Sequence, residues 1–563
     1  MLQCPMLQKH WVLFASLLLL LLLLAKNPFS QRTLIPNLEP YPDTVYYINP
    51  AKSFIEGHGL TLYRQGERLQ TNVPPLYSLV LSPVFLLRND ARMFYFGNIL
   101  LSLGSSVFFY LVIKKLTTNY LLLTTTLFLY VTNYFIYWYP TLAMAENLTL
   151  FLFMSSLYLL IKPVSIKNII IASFLSVAFY ATKYASLPLM AGLFLSYMIK
   201  TLRYKKLLLT LFNTSILFFL IYSVGEYVAK GSTLLVTVIS TIEAVVFKSG
   251  KSNPTVINTG AWFSLSYIKV NLPVYMRAMF GGYQVRFLWD NTPILPFYIG
   301  TPGVIGLIFG VFNKKSRLLS ISLIIFLVST LLFMSAFYSQ DMRYLYHAIP
   351  TLLIGFVLFW IFLHSVMLYF FQYFKKTRIL KRMMLKSVHK YVQDEKNNIF
   401  IYVVPSVLMI CIIFYFFTNA LRLKSQIMLN LKYVESPWYY LSVKQANNVF
   451  SKTQKSKPYL ITAMIPHYVD FFSNDNYILL PMSKSQDFFR GGPDSIWGKD
   501  TYENLFALYK SKLDSGNNVY LLNYLGSDEN VRRDFEVIKK EFDLKLTKDG
   551  CYGSCTIWKL EKR

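Results

Sequence analysis

A few charged residues stand out for where they sit. Asp43 follows Pro42 and precedes the pair Tyr46 and Tyr47 in PDTVYYINPAKSF. A carboxylate placed so, near an apolar surface, suits taking a proton from an incoming nucleophile; it equally suits an N-cap, since Asp43 opens a helical pattern. Glu146, in TLAMAENLTLFLF, begins an apolar run. An ionisable group beside hydrocarbon is costly and a functional candidate by default, although an acid also favours a helix N-terminus. Lys183, in FYATKYASLPL, interrupts a long apolar stretch. A cation there suits a lipid-linked phosphate, against the alternative that it snorkels to the headgroups. Arg343, Tyr344, Tyr346 and His347 fill the turn QDMRYLYH ahead of Pro350. Arg grips a phosphate with two parallel hydrogen bonds, and Tyr adds a donor or a stacking face; Asp341 is placed to orient Arg343. A juxtamembrane turn with an aromatic belt uses similar residue types.

The stretch behind Asp43 has its own punctuation. Gly57-His58-Gly59 reads as a helix stop with a sharp turn, where His58 either touches a phosphate or sugar or is simply solvated. Pro74-Pro75-Leu76-Tyr77 then opens an apolar run interrupted by Pro83. That run is short for a span, so it is expected to lie along the interface or dip into it.

What must position these residues follows from composition. The chain has 563 residues, 54% hydrophobic, 17% aromatic and only 15% charged, which describes a polytopic membrane protein. The net charge of +28 does not indicate nucleic acid, because the basic residues are scattered between apolar runs and form no aromatic-interleaved face. Four cysteines show no CxxC spacing and define no metal framework. Cys551 and Cys555 suit a disulfide if their region lies outside the cytoplasm, or two reduced thiols in a surface turn. The first apolar run, Trp11 to Ala25, resembles a signal-peptide core but lacks a small-x-small cleavage site, so it reads as a retained helix.

Apolar runs near bilayer length number about eleven, near residues 11–28, 93–113, 119–138, 143–161, 168–182, 184–200, 207–225, 296–312, 318–337, 348–371 and 398–418. The basic loops, marked by Lys114 and Lys115, Lys162 and Lys167, Lys200 to Lys206, Lys314 to Arg317 and Lys375 to Lys390, fall on one face, the cytoplasm. The amino terminus is then expected inside, and the segments 29–92, 226–295 and 338–347 outside, together with everything after about residue 420. Beyond 420, apolar runs at 458–464, 518–524 and 555–560 alternate with helical patterns near 500–514 and 528–541, which predicts a small external α/β domain over 421–563.

The order of these features resembles the GT-C glycosyltransferases that use polyprenyl-phosphate sugars, a group with the protein O-mannosyltransferases and the bacterial aminoarabinose transferases acting on lipid A. The resemblance spans roughly residues 10–420. It rests on Asp43 with Tyr46 and Tyr47, Gly57-His58-Gly59 and Pro74-Pro75-Leu76-Tyr77 in the first loop, then Glu146, Thr182-Lys183, and Arg343-Tyr344 followed by Pro350. It departs where many relatives carry two adjacent acids, since Thr44 follows Asp43; this weakens metal binding at that motif and leaves a divalent metal open.

The resemblance implies an all-α membrane domain, about residues 1–420, whose first outer loop is catalytic. It implies inverting transfer from a polyprenyl-phosphate sugar to a hydroxyl of a protein, lipid or glycan on the outer face. Lys183 and Arg343 would hold the donor phosphate, Asp43 would deprotonate the acceptor, and Glu146 would position donor or acceptor. Tyr46, Tyr47, His58, Tyr344 and Tyr346 would bind substrate. The competing readings are a lipid or glycan flippase, which would carry its ionisable groups near mid-bilayer in broken helices, and a non-catalytic membrane scaffold that binds through its external domain.

Overall fold

Each of the apolar stretches holds a helix in the computed structural model, which describes residues 5–29, 43–64, 67–71, 73–230, 264–279, 294–337, 342–376, 399–431, 438–450, 457–462, 476–482, 501–524, 529–548 and 555–563. The first helix, α1 (Pro5–Leu23), leads to the loop segment with α2 (Asp43–Ile55), the hairpin β1 (Thr61–Arg64) and β2 (Glu67–Gln70), and α3 (Leu76–Phe85). The helical bundle continues with α4 (Phe94–Leu116), α5 (Tyr120–Val131), α6 (Tyr134–Trp138), α7 (Glu146–Leu160), α8 (Ile166–Thr182), α9 (Leu187–Thr201) and α10 (Lys205–Lys230). It is completed by α11 (Ile268–Met279), α12 (Phe297–Phe312), α13 (Arg317–Ser335), α14 (Ala348–Lys376) and α15 (Ile399–Leu431).

Among the described residues, four helices are long and apolar enough to cross a bilayer alone, within 91–116, 205–225, 317–335 and 343–367. The chain is therefore an integral membrane protein. The stretch 119–138, read from sequence as one span, is two helices bent by 54°. The cause is Asn133: its side chain accepts from Phe135 N at 3.0 Å, capping α6, while its amide donates to Ile294 O at 2.8 Å. A polar side chain that recruits the backbone in this way breaks a helix that hydropathy alone would continue.

The loop behind α1 is held at both ends. Arg92 donates to Phe29 O at 2.7 Å, and Arg88 stacks over the Phe29 ring at 3.9 Å. Burial raises the carboxyl pKa of Asp90, which caps the turn into α4, but the Arg92 hydrogen bonds and charge outweigh this and hold it below the usual range. α2 stops as expected at Gly57-His58-Gly59: His58 N donates to Ser53 O and Gly57 N to Phe54 O, the paired bonds of a Schellman motif. The φ of +80° at Gly57 is one that a side chain would strain. The hairpin that follows carries no strand signal in the sequence, because RQGERLQ has no alternation of apolar and polar residues.

α12 and α14 meet backbone to backbone. A Cβ on Gly306 would land on the Gly355 carbonyl, and one on Gly355 on the Gly303 carbonyl. Small residues permit such approach between membrane helices, and here they fix the head of α14.

Past α16 (Trp438–Phe450) comes a five-stranded sheet built from β3 (Tyr459–Thr462), β4 (Ile478–Pro481), β5 (Val519–Tyr524), β6 (Phe542–Lys548) and β7 (Cys555–Lys562), in the order β4-β3-β5-β7-β6. β3 runs parallel to β4 and β5, while β7 is antiparallel to β5 and β6. Helices α17 (Tyr502–Asp514) and α18 (Glu529–Glu541) flank it. Leu460, Ile461, Leu521 and Ile557 are buried in its core, which Val45 of α2 shares. The sheet and the loop segment are thus joined by packing. Cys551 lies outside the described residues, as do Asp341 and the basic loop 377–398.

Candidate functional site

Glu146 is the first residue of α7, and the turn before it is clamped from two sides. The Asn147 amide donates to the Tyr139, Leu142 and Met144 carbonyls, each at 3.2 Å. Asn98, near the start of α4, donates to the same Leu142 carbonyl at 2.8 Å and to Pro140 O at 3.1 Å. Tyr77 of α3 donates its hydroxyl to Asn98 Oδ1 at 2.7 Å, and its ring meets Tyr47 of α2 edge-on at 5.2 Å. Buried carbonyls of an irregular turn need such donors. A path of contacts, aromatic from Tyr47 to Tyr77 and hydrogen-bonded from there on, therefore runs from the loop helix α2 to the backbone that presents Glu146.

Lys183 caps α8 at the same end of the bundle, and its Nζ lies 2.5 Å from Glu146 Oε1. The side chains are 14% and 5% exposed, so the pair is shielded from water and its attraction is little screened. Arg343 sits in the 3-10 turn Met342–Leu345 ahead of α14 and donates to Met144 Sδ at 4.0 Å. Tyr344 links the two cations: its ring centre is 4.9 Å from Lys183 Nζ and 5.7 Å from Arg343 Cζ. Both distances fall within cation–π range.

Glu146, Lys183, Arg343, Tyr344, Tyr346 and His347 line one open cavity, with Thr149, Ser186 and Thr330 among the rest of its wall. Residues far apart along the chain are thus brought together from the ends of α7, α8, α13 and α14. Tyr46, Tyr47 and His58 do not line it: the two tyrosines lie on α2 and His58 is exposed on its turn. Asp43 is the first residue of α2, and its side chain lies outside what is described. Among the described residues no three His, Cys, Asp or Glu side chains converge on a common point that would hold a metal.

No described protein family and no curated protein matches the sequence. Solved structures match in fold. ArnT from Cupriavidus metallidurans bound to undecaprenyl phosphate superposes with a TM-score of 0.57 over 98% of both chains, at 10% identity. Its apo state gives 0.56 at 10% identity, over 99% of this chain and 98% of that one. The chain shares the fold of ArnT over nearly its whole length. The apo oligosaccharyltransferase of Archaeoglobus fulgidus gives 0.48 at 11% identity, over 92% of this chain and 70% of that one.

Several residues around the site carry no signal in the sequence. Asn98 sits inside an apolar run, where one amide carries no pattern, and the Pro74-Pro75-Leu76-Tyr77 motif gives no sign that Tyr77 bonds Asn98. Thr330 resembles any helix threonine. His347 was visible in QDMRYLYH but given no role, since only burial separates it from a solvated turn histidine.

Proposed function

We propose that the protein is an inverting glycosyltransferase that moves a sugar from a polyprenyl-phosphate donor to an acceptor hydroxyl at the outer face of the membrane. The observation that carries this is the convergence of Glu146, Lys183, Arg343 and Tyr344 on one cavity. Two cations with a phenol between them suit a phosphodiester that gains charge as it leaves. In the reaction the acceptor oxygen attacks the anomeric carbon while the bond from that carbon to the phosphate oxygen breaks. Polyprenyl phosphate departs with the electron pair, and the acceptor proton passes to the Asp43 carboxylate. Glu146 orients donor or acceptor and balances Lys183 until the phosphate arrives. Tyr344 and Tyr346 face the sugar from the cavity wall, while Tyr46, Tyr47 and His58 belong to the acceptor approach along the first loop.

The proposal includes the topology: about eleven spans in a domain over residues 1–420, an amino terminus in the cytoplasm, and an external α/β domain over 421–563. The basic loops support it, and so does the placement of the candidate charges at helix ends rather than mid-bundle, where a flippase would hold them. The acceptor is a protein, lipid or glycan.

The test is transfer from a polyprenyl-phosphate hexose or pentose in proteoliposomes, with Asp43→Asn beside wild type. Loss of about a hundredfold or more in turnover fits a general base. Full turnover by the variant removes Asp43 from that role.

A further inference from the structure

Three buried polar atoms on the cavity wall have no hydrogen-bond partner: Glu146 Oε2, Thr330 Oγ1 and His347 Nε2. Buried polar groups are nearly always satisfied, and each left alone carries a desolvation cost. Three such atoms on one wall indicate that something polar completes them. Glu146 Oε1 is already taken by Lys183, so Oε2 is the face the carboxylate offers to a ligand.

His347 is held in one orientation. It is 3% exposed, and its ring meets Phe153 edge-on at 5.3 Å. A neutral imidazole carries one donor and one acceptor nitrogen, so Nε2 can pair with a hydroxyl in either tautomer. Thr330, on α13, can accept or donate. The wall thus holds a carboxylate oxygen, an imidazole nitrogen and a hydroxyl, on the same cavity as the Lys183 and Arg343 cations.

We infer that Thr330 and His347 are specificity-determining residues that, with Glu146 Oε2, receive the hydroxyl groups of the donor sugar while the cations hold its phosphate. This rests on the glycosyltransferase reading above. The chemistry is selective: a site built to pair with a hydroxyl rejects a ligand lacking it far more strongly than an apolar wall would, because its own buried atoms then stay unpaired.

The test measures binding of decaprenyl phosphate, bare or carrying arabinose, glucose or mannose, to the full-length protein in nanodiscs. Wild type is expected to bind at least one glycosylated lipid about tenfold more tightly than the bare one. Thr330→Val, which keeps the shape, and His347→Leu should each erase about tenfold of that preference while leaving the bare lipid unaffected. His347→Gln, which restores an acceptor, should recover part of it. Equal weakening of bare and glycosylated lipids, or no change in either variant, overturns the inference, as does a wild type without sugar preference. If wild type does not bind even the bare lipid, the phosphate site fails and this inference falls with it; loss of sugar preference alone leaves the phosphate site standing.

Discussion

Lys183 Nζ lies 2.5 Å from Glu146 Oε1, joining the end of α8 to the start of α7 across 37 residues of sequence. The contact places a cation where it can exchange one anion for another. A carboxylate at 5% exposure and a lysine at 14% stabilise each other only while both are charged, and removing one partner outright is costly.

Glu146→Gln keeps the shape and a hydrogen-bond acceptor but removes the competing charge. The expected outcome is several-fold tighter binding of polyprenyl phosphate, through the freed Lys183, together with turnover lowered by at least about tenfold. Equilibrium binding and initial rates on the same preparation check both. Weaker binding together with normal turnover would place Glu146 outside the site.

The Asn98 amide and carbonyl link Tyr77 to the turn before Glu146. Asn98→Leu removes the acceptor of the Tyr77 hydroxyl and leaves the Pro140 carbonyl unpaired in an apolar interior, at a cost of about 1–3 kcal/mol. Thermal unfolding in detergent should show a lowered midpoint, with Tyr77→Phe milder because it strands only Asn98 Oδ1. A midpoint within error of wild type for Asn98→Leu would mean the path from α2 to Glu146 is not structural.

This path is also where sequence reading stopped. Hydropathy located the helices because each apolar run must bury its backbone in a helix, and Glu146, Lys183 and Arg343 were legible because charge beside hydrocarbon is expensive. Asn98, Thr330 and Asn133 were not, since short polar side chains in a membrane helix cost little and leave no period. The union of the charged residues in one cavity depends on crossings between α7, α8 and α14 that no single helix encodes. In the carboxy-terminal sheet, β5 was visible as a Val/Leu run, while β6 was missed because most of it is exposed.

Gly306→Ala should be poorly tolerated, since its methyl group meets the Gly355 carbonyl. The expected loss is about 1–3 kcal/mol or failure to insert as folded protein. Gly225→Ala, where a methyl group meets nothing within 4 Å in the exposed part of α10, should be neutral or gain up to about 1 kcal/mol. Fluorescence size-exclusion after heating distinguishes them, and equal behaviour would deny the close approach of α12 and α14.

Protease added outside sealed spheroplasts should leave the basic segment 377–398 intact and cleave within 421–563, as the positive-inside rule requires. Cleavage of 377–398 from outside would invert the proposed topology and move the cavity to the cytoplasmic face.

The most direct measurement is the affinity of undecaprenyl phosphate for wild type, Lys183→Ala and Arg343→Ala, each first shown to be folded. If the cavity holds the donor phosphate, each variant loses about tenfold or more in affinity, as expected when a charge-assisted hydrogen bond is removed. Unchanged affinity in both variants would contradict the account at its centre.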